Sequence, residues 1–170
     1  MNKSIFSINS LSKYSDLFQI VGVIGLIASL IFVGMELRQS QQIALAEQQV
    51  ERTKVFADIY LAATDKGIAF GKFENDYNDE EIFQFNFNHI FWNLSETDYL
   101  KYRLGLMDES IWQSRYAIMK RLKSGKLTEN TTKRYCLMLM DVWNQKINTL
   151  DSEFINLIEM TPSIDCNELK

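Results

Sequence analysis

The chain reads as an all-α protein: a single N-terminal transmembrane helix that continues into a stalk and is followed by a small helical bundle. Three observations predict this. The sixteen residues from Ile20 to Met35 carry no charge and only one polar side chain, Ser29. Beyond them, apolar residues recur at three- and four-residue spacing, the period of a helix with one buried face. Pro occurs once and Gly seven times in 170 residues. Average usage would give roughly 8 and 12, so the punctuation that strands and tight turns need is missing.

Composition narrows the function classes. The length suits one compact domain with an appendage. A content of 46% hydrophobic and 24% charged residues excludes a disordered tail, and two cysteines cannot make a disulfide framework. The net charge of −4 argues against a nucleic-acid coat.

Residues 1–16 form an N-terminal tail and 17–37 the transmembrane helix. The uncharged run would extend about 24 Å and the wider segment about 32 Å, against a hydrocarbon core of ~30 Å. Tyr14 and Phe18 sit where interfacial aromatics anchor a span, and Lys13, Asp16, Glu36 and Arg38 bracket it at headgroup depth. A buried core helix is the alternative reading. A cleaved signal peptide is disfavoured, because its only small-residue site, Ala44-Leu45-Ala46, lies far beyond the apolar run. Lys3 and Lys13 on one side nearly balance Arg38, Arg52 and Lys54 on the other. With no sign of disulfide pairing, the expectation tips towards a cytoplasmic C-terminal domain in which Cys136 and Cys166 stay reduced. Gly22, Gly25 and Ser29 make a small-residue stripe along which a second membrane helix could pack.

Residues 38–64 read as a helical stalk with a stripe at Ile43, Ala46, Val50, Ala57 and Tyr60, widened by Leu45, Phe56, Ile59 and Ala63. Residues 65–81 are an acidic linker containing Glu74, Asp76, Asp79, Glu80 and Glu81. It lacks the sixth-position Gly and twelfth-position Glu of an EF-hand, so no calcium loop is expected. Asn78 or Asp79 can cap the next helix. The bundle occupies residues 82–161. Its first helix runs to about Leu104 and should bury Phe83, Phe87, Ile90 and Leu94, with Phe91, Tyr99 and Tyr102 on an adjoining face and Gly105 ending it. Asp108 should cap a helix carrying Ile111, Trp112, Tyr116, Met119 and Leu122 that stops at Ser124-Gly125. Thr128 should cap one carrying Tyr135, Leu139, Val142, Trp143 and Ile147. A short helix from about Asp151 to Met160 is closed by Pro162, leaving residues 162–170 as a tail.

The segments VGVIGLIASLIFVGMELRQSQQ and FWNLSETDYLKYRLGLMDESIW together resemble a large family of uncharacterised bacterial proteins, and the expected location is the bacterial inner membrane. Members of the family have one N-terminal membrane helix, a short basic-polar motif of the kind seen at Leu37-Arg38-Gln39-Ser40, and an all-helical region. That region has a Glu, Tyr, Tyr, Gly, Asp, Trp pattern, matched here by Glu96, Tyr99, Tyr102, Gly105, Asp108 and Trp112. The resemblance implies a single-pass architecture and brings no activity with it.

The catalytic inventory is thin. A single histidine, His89, excludes two-histidine zinc sites and paired Glu-x-x-His di-iron sites by count. Cys136 lies in the apolar run YCLMLM, where a cysteine packs as a small hydrophobe rather than as a nucleophile. No phosphate-binding glycine loop is present, and no metal or other cofactor is expected. Glu96, Tyr99 and Arg103 share one helical face. With Tyr102, Asp108 and Trp112 they are the candidate ligand-binding group, a carboxylate, phenols and a guanidinium able to line one pocket. Charge is segregated: residues 74–109 hold nine acids and two bases, whereas residues 115–134 hold seven bases against Glu129. Arg115, Lys120, Arg121, Lys123, Lys126, Lys133 and Arg134 could touch an anionic surface, or be neutralised across the bundle by the acidic segment. The expected function is a membrane-anchored, non-catalytic interaction module. Its partners would be the lipid bilayer and a second copy or a larger membrane assembly, with nucleic acid disfavoured. The alternative is a helical domain that senses a small ligand, or acts on one, through the Glu96 to Arg103 pocket.

Overall fold

A computed structural model of the chain describes residues 8–70 and 77–169. Among them are five α-helices and no strand: α1 (Ile8–Asp65), α2 (Asp79–Arg103), α3 (Glu109–Ser124), α4 (Lys133–Lys146) and α5 (Ser152–Glu159), with a final 3-10 turn at Cys166–Glu168. Glu74 and Asp76 of the acidic linker lie outside the described residues. The chain divides into two compact units, Met1–Ile43 and Ala44–Lys170.

The first unit is the start of α1. Helix begins at Ile8, inside what the sequence predicts as a tail, because no Pro or Gly interrupts residues 8–16. Among the described residues α1 is the one helix long and apolar enough to cross a membrane, and none of its apolar stretch is buried inside the chain. Phe18, Leu26, Leu30 and Met35 are all exposed. A Cβ placed at Gly22 or Gly25 would meet nothing within 4 Å.

In the second unit the end of α1 lies antiparallel to α2, with Thr53 bonded to Thr97 and Thr64 to Asn86. The residues α1 buries there are Ala46, Thr53 and Tyr60, spaced by seven. Ile43, Leu45 and Ile59 of the expected stripe are exposed instead. The seam is partly polar: the Thr53 and Thr97 hydroxyls are 2.7 Å apart, and Gln49 donates to Glu96 at 3.1 Å.

The N-terminus of α2 is closed by a capping box: the Asn78 side chain accepts from the Glu81 N–H while the Glu81 carboxylate accepts from the Asn78 N–H, each at 3.0 Å. The buried arc of this helix differs from the predicted one. Phe83, Phe87 and Leu94 are 45–49% exposed, and the buried side chains are Ile82, Phe85, His89 and Trp92 together with Asn86, Asn88, Ser95 and Thr97. The reason is chemical, because apolar periodicity cannot register an arc completed by satisfied polar groups. Asn86 shows it: its amide donates to Thr64 Oγ1 (2.8 Å) and the Ile68 carbonyl (2.9 Å), and its oxygen accepts from the Phe70 N–H (2.8 Å). One buried side chain thereby fastens the turn that follows α1.

Gly105 and Gly125 sit at φ +73° and +82° just past α2 and α3, the left-handed conformation that ends a helix at little steric cost for glycine alone. Two expected caps differ. Asp108 precedes α3 without capping it by its side chain, and α4 is capped by Thr132, not Thr128. Thr128 belongs to a turn, its N–H donating to Thr131 Oγ1 at 2.9 Å. The core is aromatic: Trp92 packs on Trp143 with ring centres 4.5 Å apart, and Trp112 is stacked between Tyr102 and Tyr116 at 4.8 and 5.5 Å.

Cys136 and Cys166 form a disulfide across 30 residues of sequence. This corrects the expectation that they stay reduced, and removes the ground on which the domain was placed in the cytoplasm. The segment after Pro162 folds back over the end of α3, where the Ile164 N–H donates to the Ser124 carbonyl at 2.9 Å and Ser163 Oγ to the Lys123 carbonyl at 3.2 Å. That return brings the two Cα atoms to 5.6 Å, within bridging distance.

Candidate functional site

Two adjoining cavities, of about 340 and 270 Å³, form one cleft between the end of α1, the middle of α2 and the α4–α5 junction. Gln49, Arg52, Glu96, Thr149 and Leu150 line both cavities. The outer one adds Tyr99, Arg103 and Asp151, and the inner one Phe56, Tyr60, Phe70, Asn93 and Lys146.

Lys146 occupies the last turn of α4 and is only 7% exposed. Its ammonium donates to Asn93 Oδ1 at 2.9 Å and Tyr60 Oη at 3.2 Å, both neutral acceptors. Burial pushes its pKa down to about 8, with the Glu96 carboxylate opposing that shift. Burial likewise raises the Tyr60 phenol to about 12. Asn93, having given its oxygen to Lys146, is left with a buried Nδ2 that has no hydrogen-bond partner among the described residues. Behind this floor His89 stacks on Tyr60 (5.2 Å, 14°) and meets the edge of Phe85. Both of its ring nitrogens are buried without a hydrogen-bond partner among the described residues, and burial, helped by the charge of Lys146, lowers its pKa to about 3. It is a neutral packing residue at physiological pH.

The sequence-predicted ligand group divides in two. Glu96, Tyr99 and Arg103 line the cleft. Tyr102 bonds to Glu109 at 2.6 Å and stacks on Trp112, which is a core residue, and Asp108 is exposed ahead of α3; none of these three lines either cavity. Glu96 also ties three segments together, accepting from Gln49 at 3.1 Å and from the Asp151 backbone N–H at 2.6 Å. Arg103 is already paired with Glu153 and lies 4.0 Å from Asp151. What the sequence reading missed is Lys146, Tyr60, Asn93 and Arg52. The signal for Lys146 was available: it follows Leu139, Val142 and Trp143 at helical spacing, a charge on the apolar face of α4.

The basic segment is largely neutralised. Arg115 lies 3.9 Å from Asp98, Lys123 3.5 Å from Glu159 and Lys126 2.8 Å from Glu129, while Arg134 pairs with Glu81. Lys120 lies over the Tyr116 ring. Arg121 and Lys133 are exposed and make no ion pair among the described residues. The Arg115 and Arg134 pairs join the basic segment to the acidic one. No group of His, Cys, Asp and Glu able to hold a metal ion occurs among the described residues.

Comparison with known proteins finds no match: no family model fits the chain, and no curated protein and no solved structure is similar to it. The resemblance drawn from the two sequence segments and from Glu96, Tyr99, Tyr102, Gly105, Asp108 and Trp112 therefore rests on the sequence pattern alone.

Proposed function

We propose that the chain is a single-pass membrane protein whose helical domain binds a small ligand without transforming it and faces the oxidising side of the membrane. The observation that supports binding is Lys146, a nearly buried cation at the floor of an open cleft whose hydrogen-bond partners are a phenol and an amide. A buried charge hydrogen-bonded only to neutral groups is costly, and a ligand able to complete its shell would be bound with correspondingly more energy. The disulfide supports the side, since such bonds persist where thiols are not kept reduced. The uncharged run of α1 supports the anchor. Native mass spectrometry of the full-length protein taken from its own membrane tests the reading: a small-molecule mass should accompany the wild type and be lost in Lys146→Met. Its absence from both would end the proposal. Alkylation at the moment of lysis tests the side, and free Cys136 and Cys166 in intact cells would refute it.

A second reading is favoured by the outer face of α2. Phe83 and Phe87 stack on each other at 6.0 Å, yet both are about half exposed, as is Leu94. An exposed apolar stripe of this kind suits docking on another protein. In the same spectra that reading would appear as a defined oligomer or a co-purifying chain.

A further inference from the structure

We propose that the cleft over Lys146 takes a small organic acid: one carboxylate on an apolar body, its head held by Lys146 and Arg52 and its body lying against Phe56, Phe70 and Leu150. The inference rests on the ligand-binding reading above and names the chemistry of that ligand.

The charge around the cleft comes first. Arg103 lines only the outer cavity, where the carboxylates of Glu153 and Asp151 face it. Among the charged groups lining the inner cavity, Lys146 and Arg52 stand against Glu96 alone, a local excess of one positive charge. Arg52 makes no ion pair among the described residues; its guanidinium lies over the Phe56 ring at 5.7 Å, and it is exposed at the rim. One carboxylate closes this balance. An ammonium ligand would double the excess, a neutral one would leave it, and a phosphate dianion would overshoot it.

Hydrogen-bond capacity points the same way. An ammonium carries three N–H groups, of which two are used here. Asn93 Nδ2 offers an unpartnered buried donor next to it, and Arg52 brings a planar fork suited to a carboxylate. Glu96, the one acidic group of the inner cavity, is already engaged by Gln49 and the Asp151 N–H. The free capacity of the site is thus donor capacity, which selects an acceptor. The apolar part of the lining is Phe56, Phe70 and Leu150, beside the neutral side chains of Gln49, Thr53 and Thr149. At about 270 Å³ the inner cavity lies just below the ~300–1,000 Å³ usual for drug-sized ligands, so the acid is small.

The test uses benzoate, benzyl alcohol, benzylamine and inorganic phosphate as probes on full-length protein in detergent, with calorimetric titration and thermal unfolding as readouts. Benzoate should bind saturably and raise the unfolding temperature. Lys146→Met should weaken it at least tenfold. Arg52→Gln, at an exposed position that leaves the core untouched, should weaken it several-fold and keeps the test open if the lysine variant does not fold. Binding of benzyl alcohol or benzylamine in place of benzoate would overturn the acid class and leave the ligand-binding reading standing. Phosphate binding as tightly as benzoate would overturn the apolar body. Silence of all four probes would also overturn the class, whereas the ligand-binding reading falls only if the membrane-extracted protein carries no small molecule either.

Discussion

The carboxylate of Glu96 accepts a 2.6 Å hydrogen bond from the backbone N–H of Asp151, 55 residues further along the chain. The bond joins the middle of α2 to the residue that caps α5, since Asp151 Oδ1 in turn accepts the N–H groups of Glu153 and Phe154. Glu96→Ala would leave that N–H without its acceptor and release Gln49 as well. We expect a loss of about 1–3 kcal/mol in denaturant unfolding. Arg103→Ala, which removes a solvent-exposed ion pair, should cost less than about 1 kcal/mol. Equal losses in the two variants would contradict this assignment of roles.

The register of α2 can be checked by a matched pair. Phe85 is fully buried and Phe83 45% exposed, only two positions away. Phe85→Ala should cost about 3–5 kcal/mol through lost transfer energy and the cavity left behind. Phe83→Ser should cost under about 1 kcal/mol while changing any self-association seen in native mass spectra.

That pair also marks how far the sequence could be read. The helices, the long apolar start of α1 and the glycine ends of α2 and α3 all follow from period and punctuation, which are local properties. The phase of α2 does not, because its inner arc is completed by Asn86, Asn88, Ser95 and Thr97, whose burial depends on partners distant in sequence. Half of the candidate site was visible for the same reason. Glu96, Tyr99 and Arg103 share a helix and could be grouped by spacing, whereas Tyr60, Asn93 and Lys146 sit on three helices and meet only in the fold.

The pH dependence of stability should carry two signatures. Lys146 is held near 8 in the folded chain against 10.5 for an ordinary lysine, so between these values the unfolded chain binds more protons and stability rises with pH. The rise is opposed above pH 10, where an unfolded tyrosine ionises while Tyr60 keeps its proton to about 12. Lys146→Met should abolish the rise between pH 8 and 10 in denaturant titrations. A slope unchanged by the substitution would assign it to another group.

On the acid side, His89 is held near 3 against 6.5, so the unfolded chain takes up a proton first and stability falls as pH drops from about 6.5 to about 3. Because neither ring nitrogen has a hydrogen-bond partner among the described residues, Phe should replace it with little loss at neutral pH. His89→Phe is expected to flatten the acid limb by up to one proton. A variant as acid-sensitive as the wild type would refute the assignment.

Reduction of the Cys136–Cys166 bond should lower stability by about 3.5 kcal/mol, the loop-closure value for 30 residues. Urea unfolding with and without reductant, or of Cys136→Ser, measures it. A difference under about 1 kcal/mol would mean that the returning C-terminal segment is held by its other contacts alone.

The same bond imposes an order on biogenesis. Its second sulfur lies beyond every described α-helix of the domain, so the clasp can shut only after α4 and α5 have been synthesised. Until then the aromatic core must hold by itself, with the thiol of Cys136 open to mispairing. A chain cut short after α5 would leave Cys136 as a lone thiol at the α4 surface that Cys166 normally covers, a lesion that mixed-disulfide formation with a neighbouring chain would report.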